Sequence, residues 1–175
     1  MLWENTDHSA SEATLRYTME PKEFENRFLP YDVLTNLAHV TMLNRQGFLA
    51  DDELADLRVA LTDIYDNVDT VEGEDVHTFV EERVTQRTEA GKKMHLARSR
   101  NDQIFVDTRL FMKDATIDLA HRVLGFVDAL DTFAEERNVL IPGYTHQQQA
   151  MPSSTGLWAS SFADALIDDL RSLRA

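Results

Sequence analysis

From Asn101 to Asn138 the chain runs for 38 residues without a proline and with a single glycine, Gly125. Phe105, Met112, Leu119, Phe126 and Phe133 recur in it every seven residues, and Ile117, Leu124 and Leu130 widen the stripe. With no breaker and a helical apolar period, the pattern predicts one continuous helix, about 57 Å long at 1.5 Å per residue. Helices usually span about three turns, and the residues before this one are too few to cover so long a stripe. Partners for the stripe must come from elsewhere, so the expectation is a long-helix bundle, in part intermolecular.

The rest of the chain reads as helical too, because apolar residues recur at three- and four-residue spacing between few Gly and Pro residues. After a polar arm to about Pro30, a helix is expected from Tyr31 to Gln46, burying Val33/Leu34, Leu37, Val40 and Leu43/Met42 and ending at Gly47. Asp51-Asp52-Glu53 opens a second helix to about Val68, with Leu54, Leu57, Leu61, Ile64 and Tyr65 inside. A third starts near Asp75, using Val76, Phe79, Val80 and Val84, before the Gly91-Lys92-Lys93 break. Pro142-Gly143 ends the long helix, and a last one (Leu157, Trp158, Phe162, Leu166, Ile167, Leu170) runs from beyond Pro152 to Ala175. No strand is expected. The fold class is all-α: residues 1–97 form an arm and a small N-terminal helical layer, and residues 98–175 the first part of a long-helix bundle.

Composition narrows the function. Asp and Glu number 31 against 17 Lys and Arg, a net charge of −14, which disfavours nucleic acid because phosphate affinity comes from Lys and Arg. No apolar run approaches the roughly 18 residues of a membrane span. The absence of Cys and of an apolar leader in MLWENTDHSA makes the cytoplasm the expected compartment.

Against that acidic background, Lys92-Lys93-Met94-His95-Leu96-Ala97-Arg98-Ser99-Arg100 gathers four of the seventeen cations and one His. The segment leads into the long helix, whose first N–H groups and dipole favour anions, so cations and backbone donors converge. It reads either as a site for carboxylates or phosphates, with Arg98 and Arg100 projecting together, or as a basic helix approach balancing nearby acids. Ser99 and Asn101 add short donors there, and Asp102 can cap the helix or pin an arginine. A second candidate is Pro142-Gly143-Tyr144-Thr145-His146-Gln147-Gln148-Gln149, where His146 can move a proton and Thr145 can hold a substrate oxygen, unless the pair is structural. His77 lies near a helix start and reads first as a capping or solvated histidine. His39, His121 and His8 read as structural or exposed. No phosphate loop, dinucleotide fingerprint or zinc-ligand spacing is present, and no metal is implied.

Two of these segments, GKKMHLARSRNDQ (Gly91 to Gln103) and IPGYTHQQQAMP (Ile141 to Pro152), resemble argininosuccinate lyase of the fumarase/aspartase superfamily. Glu74-Asp75-Val76-His77 and Ala38-His39-Val40-Thr41-Met42-Leu43 extend the likeness over roughly residues 30–175, the N-terminal half of the family's chain. The resemblance implies a homotetramer built on a twenty-helix bundle, with each active site assembled from three subunits. It implies reversible elimination of argininosuccinate to arginine and fumarate without a cofactor. Asn101 would then bind a small polycarboxylate substrate with Ser99, Arg100 and Arg98. Thr145 would hold a carboxylate, His146 would act in proton transfer and His77 would line the site.

This sequence departs from the family pattern at Leu96, where Thr or Ser is usual, at Gln147 (Leu) and at Met151 (Gln). Tyr17-Thr18-Met19-Glu20-Pro21 also lacks the family's binding serine. The loop with the catalytic serine belongs to the family's later half, so this polypeptide alone is expected to be inactive. A sister lyase yielding fumarate from another substrate, and a noncatalytic helical assembly protein, are the alternative expectations.

Overall fold

The computed structural model describes residues 22–73 and 75–174. His8, the Tyr17–Pro21 segment and Glu74 lie outside the described residues. The elements run α1 (Lys22–Arg45), α2 (Asp51–Asn67), α3 (Val76–Arg87), a short 3-10 helix (Glu89–Lys93), α4 (Arg100–Glu136), β1 (Leu140–Thr145), β2 (Gln148–Ser154) and α5 (Thr155–Arg174). The described residues fall into two compact units, one up to Met112 and one from Lys113. Among the described residues no helix is long and apolar enough to cross a membrane.

In the first unit α1, α2 and α3 pack around one core. Leu29, Val33, Val40 and Leu43 come from α1, Leu54, Leu57, Leu61 and Ile64 from α2, and Val76, Phe79, Val80 and Val84 from α3. Each fully buried Val or Leu here contributes about 2 kcal/mol of transfer free energy. The helix ends follow local chemistry. Glu53 Oε2 accepts from the Ala50 N–H at 3.0 Å and Asp75 Oδ1 from the Thr78 N–H at 2.6 Å, while Gly47 takes φ +79° just past α1. The acidic 68–75 connection is pinned where the Val71 N–H donates to Asn26 Oδ1 and the Val76 N–H to Glu25 Oε2, both at 2.7 Å.

Three expectations need correction. The segment before Tyr31 is helical from Lys22, and Pro30 lies inside α1. Tertiary packing outweighs the lost proline hydrogen bond: Leu29 is buried, Phe28 and Tyr31 ring centroids lie 5.1 and 6.0 Å from Phe111, and Arg27 stacks on that ring. Tyr65, Leu34 and Met42, expected inside, are exposed, because Ile64, Val33 and Leu43 occupy the buried positions beside them. The third correction is the hairpin of the second unit.

That unit holds α4 from Lys113 onward, β1, β2 and α5. Gly156, Ala159 and Ala163 form its buried small-residue seam, together with Val127. A Cβ on Gly156 would stand 2.7 Å from Asn138 Oδ1, so the side chain's absence is what lets the start of α5 close on the end of α4. Thr155 ties the same corner: its hydroxyl donates to the Arg137 carbonyl and accepts from the Val139 N–H.

β1 and β2 pair antiparallel, with Leu140 opposite Ser154 and Thr145 opposite Gln148. No strand was expected because neither segment alternates apolar with polar; nearly every residue is exposed, and Pro142 faces Pro152. The long helix itself is as expected, 37 residues. Its stripe stays open in the single chain, Phe105 61% and Phe133 41% exposed.

Candidate active site

α1 places polar side chains where its stripe should be apolar. Asp32 and Asn36, one turn apart between Leu29, Val33 and Val40, are both fully buried. On α4, Gln103 and Asp107 repeat that spacing and are also buried. α3 adds His77, two residues after its Asp75 cap and 6% exposed. Buried polar groups are costly unless bonded, and these bond to one another.

Asp32 is the hub. Its Oδ1 lies 2.8 Å from His77 Nδ1 and also accepts from Gln103 Nε2, and its Oδ2 accepts from Asn36 Nδ2 at 2.9 Å. Arg98 Nη2 donates to Asn36 Oδ1 at 2.5 Å, and Arg100 Nη1 donates to Gln103 Oε1 at 3.2 Å. The second Arg100 nitrogen, Nη2, reaches Glu81 Oε2 at 3.2 Å. Thr35 Oγ1 donates to Asp107 Oδ1 at 2.5 Å, and Asp107 Oδ2 stands 3.6 Å from His77 Nδ1 without a bonded partner.

Burial dominates the electrostatics. Removal from water, reinforced by the neighbouring Asp32 carboxylate, pushes the Asp107 carboxyl up to about 6, against the Thr35 hydrogen bond and the nearby His77. Arg98 is lowered from the usual guanidinium value by burial and by Arg100, with Asp32 and Asp107 opposing; its Nε and Nη1 are buried without partners. His95 and His39 are lowered chiefly by burial, and Arg98 adds to both shifts. His39 Nε2 donates to the Leu96 carbonyl at 2.9 Å.

Ser99 and its neighbours build the start of α4. The Asn101 N–H donates to Ser99 Oγ at 3.2 Å and the Ser99 N–H to Asp102 Oδ2 at 3.1 Å, so Ser99 caps the helix and Asp102, within its first turn, bonds back to the cap. Asn101 is exposed at this N-terminus. The chain reaches it through Ala97 at φ +58°, a left-handed conformation rare for alanine.

Thr145 and His146 belong to the other compact unit, at the exposed tip of the hairpin. His146 and Gln147 have φ +49° and +64°, the two positive values of a two-residue type I′ turn, where Asn-Gly is the usual choice. A positive φ at two residues with side chains is strain, of the kind that collects at functional loops. Gly143, at the irregularity between Pro142 and Tyr144, is required by space: a Cβ there would stand 2.6 Å from the Met151 carbonyl oxygen.

Residues 49–175 match the lyase family. The chain belongs to the lyase family, within the fumarase/aspartase superfamily. Among curated lyase relatives, argininosuccinate lyase of Parabacteroides distasonis is 40% identical over 99% of this chain and 41% of its own length. That of Bacteroides fragilis is 41% identical over 91% and 38%. The chain thus spans about two fifths of the relatives it matches. Its fold is similar to a fumarate lyase:delta crystallin from Brucella melitensis (TM-score 0.76, 16% identity, 91% of this chain and 42% of that one). It is also similar to an EDDS lyase crystallised with formate (TM-score 0.73, 24% identity, 94% and 37%).

Within this lyase-family chain, the fold brings His77, Arg98 and Arg100 into one network and sets Ser99 and Asn101 at its edge. Sequence reasoning missed Asp32, Thr35, Asn36, Glu81 and Asp107. Asp32 and Asn36 carried a usable signal, since both interrupt the apolar stripe of α1 at core positions. It also found no carboxylate–histidine assembly, whereas Asp32, His77 and Asp107 place ligand atoms within 4.8 Å of one another. Asp32 already accepts three hydrogen bonds, so a cation there would have to displace a proton from His77 and two amide donors. The cluster reads as a hydrogen-bond network.

Proposed function

We propose that this chain provides substrate-binding and proton-transfer groups of an argininosuccinate lyase, which reversibly eliminates argininosuccinate to arginine and fumarate. The observation carrying this reading is the convergence of His77, Arg98 and Arg100 on one buried network at the start of a long helix, where Ser99 and Asn101 are exposed. Relatives bearing that name, about 40% identical across nearly the whole chain, support it. Asn101 and Ser99, with Arg98 and Arg100 behind them, bind the carboxylates of a small polycarboxylate substrate, and His77 lines the site. Thr145 holds a carboxylate and His146 moves a proton. A base removes a proton next to a carboxylate, and the negative charge that develops is stabilised by fixed donors and cations before the guanidinium leaves. The chemistry needs no cofactor. The open α4 stripe is covered by other copies in a homotetrameric helical bundle, and the protein works in the cytoplasm.

A sister lyase yielding fumarate from another substrate is the second reading. It is favoured by Leu96, 43% exposed within the basic segment. The test follows fumarate by ultraviolet absorbance from argininosuccinate and other N-succinyl compounds. It uses this chain alone, and then mixed with the complementary C-terminal segment of a relative. Fumarate from argininosuccinate on mixing supports the first reading, release only from another compound supports the second, and none from either sinks both.

A further inference from the structure

We propose that Asp32 is the positioning residue for His77, holding its imidazole as the Nδ1–H tautomer and leaving Nε2 as the basic atom, and that Arg98 and Arg100 set Asp32 through two amides. The inference rests on His77 belonging to the substrate site, but its geometry is independent of which substrate binds.

Among the described residues, Nδ1 of His77 lies near two carboxylate oxygens, Asp32 Oδ1 at 2.8 Å and Asp107 Oδ2 at 3.6 Å. A ring nitrogen bonded to a carboxylate must carry the proton, and the shorter contact makes Asp32 the acceptor. Nε2 then holds the lone pair, as in any histidine whose second nitrogen is set by a carboxylate partner.

Asp32 is itself held from both sides. An Asn or Gln amide can present either its oxygen or its NH2, and here an arginine settles each choice. Arg98 carries only donors, so its bond to Asn36 Oδ1 turns the Asn36 NH2 toward Asp32. Arg100 does the same to Gln103 through Oε1, turning that NH2 to Asp32 Oδ1. Two cations thus orient two amides, the amides orient one carboxylate, and the carboxylate orients one imidazole. Among the described residues, the charged groups on the elements packed about His77 include Asp32 and Glu25 on α1, Asp75 and Glu81 at and along α3, Arg98 in the connection, and Arg100 and Asp107 on α4.

This arrangement predicts what Asp32→Ala does. It removes the carboxylate that accepts from Nδ1 at 2.8 Å and leaves Asp107 Oδ2 at 3.6 Å, outside hydrogen-bond reach, so the ring is no longer held and takes the Nε2–H form that an unheld neutral imidazole favours. The measurement is a long-range proton–nitrogen NMR spectrum of the histidine rings in the 175-residue chain, recorded where His77 is neutral, for wild type, Asp32→Ala and Asp107→Asn. The expected result is a pyrrole-like Nδ1 in wild type and Asp107→Asn, with the pyrrole-like and pyridine-like shifts exchanged in Asp32→Ala. A wild-type ring protonated on Nε2, an unchanged ring in Asp32→Ala, or an exchange in Asp107→Asn overturns the proposal. Should Asp32→Ala not fold, the wild-type and Asp107→Asn spectra still decide. An Nδ1–H ring in a chain that yields no fumarate in the mixing assay would sink the lyase reading and leave the tautomer assignment standing.

Discussion

Thr35 Oγ1 donates a 2.5 Å hydrogen bond to Asp107 Oδ1, joining α1 to α4 across 72 residues of sequence. The bond favours an ionised Asp107, but burial and the Asp32 carboxylate outweigh it and raise the carboxyl from 3.8 to about 6. The folded state therefore binds this proton more tightly than the unfolded chain does. Its contribution to stability is fully present below about pH 4 and is lost as pH rises through about 6. Relative to Asp107→Asn, which keeps the Thr35 acceptor without the charge, wild type should lose on the order of 3 kcal/mol across that window. Urea unfolding of both proteins from pH 4 to pH 7 measures it, and a constant difference would remove the assignment.

Ala97 holds φ +58° in an exposed turn within the basic segment. Glycine takes that conformation without the steric cost that alanine bears, and this gain exceeds its extra freedom in the unfolded chain. Ala97→Gly should raise stability by roughly 0.5–1 kcal/mol. A lower urea midpoint would show that the turn is not strained.

His146 has φ +49° at the hairpin tip. Asparagine tolerates that conformation but cannot shuttle a proton near neutral pH, so His146→Asn should keep the hairpin while lowering fumarate release about 10²-fold or more. Equal turnover in the mixing assay would take His146 out of the mechanism.

Gly143→Ala tests the hairpin from inside. Its methyl would stand 2.6 Å from the Met151 carbonyl, a contact that backbone must relieve. The expected cost is about 1–3 kcal/mol, with hydrogen exchange quickening at Tyr144, Thr145 and Gln148 first. Protection equal to wild type would mean the strands absorb the methyl freely.

Phe126 is 57% exposed on the α4 stripe, so Phe126→Asp removes little packing within one chain. If copies of the chain cover that stripe, the substitution lowers the mass measured by light scattering while helical circular dichroism is kept. A wild-type chain already monomeric would remove the bundle reading.

The sequence by itself determined the helices, because their information is local: the apolar period of Leu54, Leu57, Leu61 and Ile64, the Asp75 cap and the breaker-free run of α4 each act within a few turns. It also marked Arg98, Ser99, Arg100, Asn101, Thr145 and His146, since a cation cluster in an acidic chain and a polar loop between apolar helices are visible in one dimension. Tertiary structure decided the rest. Pro30 stays helical because Phe28, Leu29 and Tyr31 find partners that local propensity knows nothing of, and the hairpin forms without any β pattern in its residues. The Asp32 hub joins residues 45 and 71 positions away, and a buried carboxylate gains its acceptor role only from donors that packing brings to it.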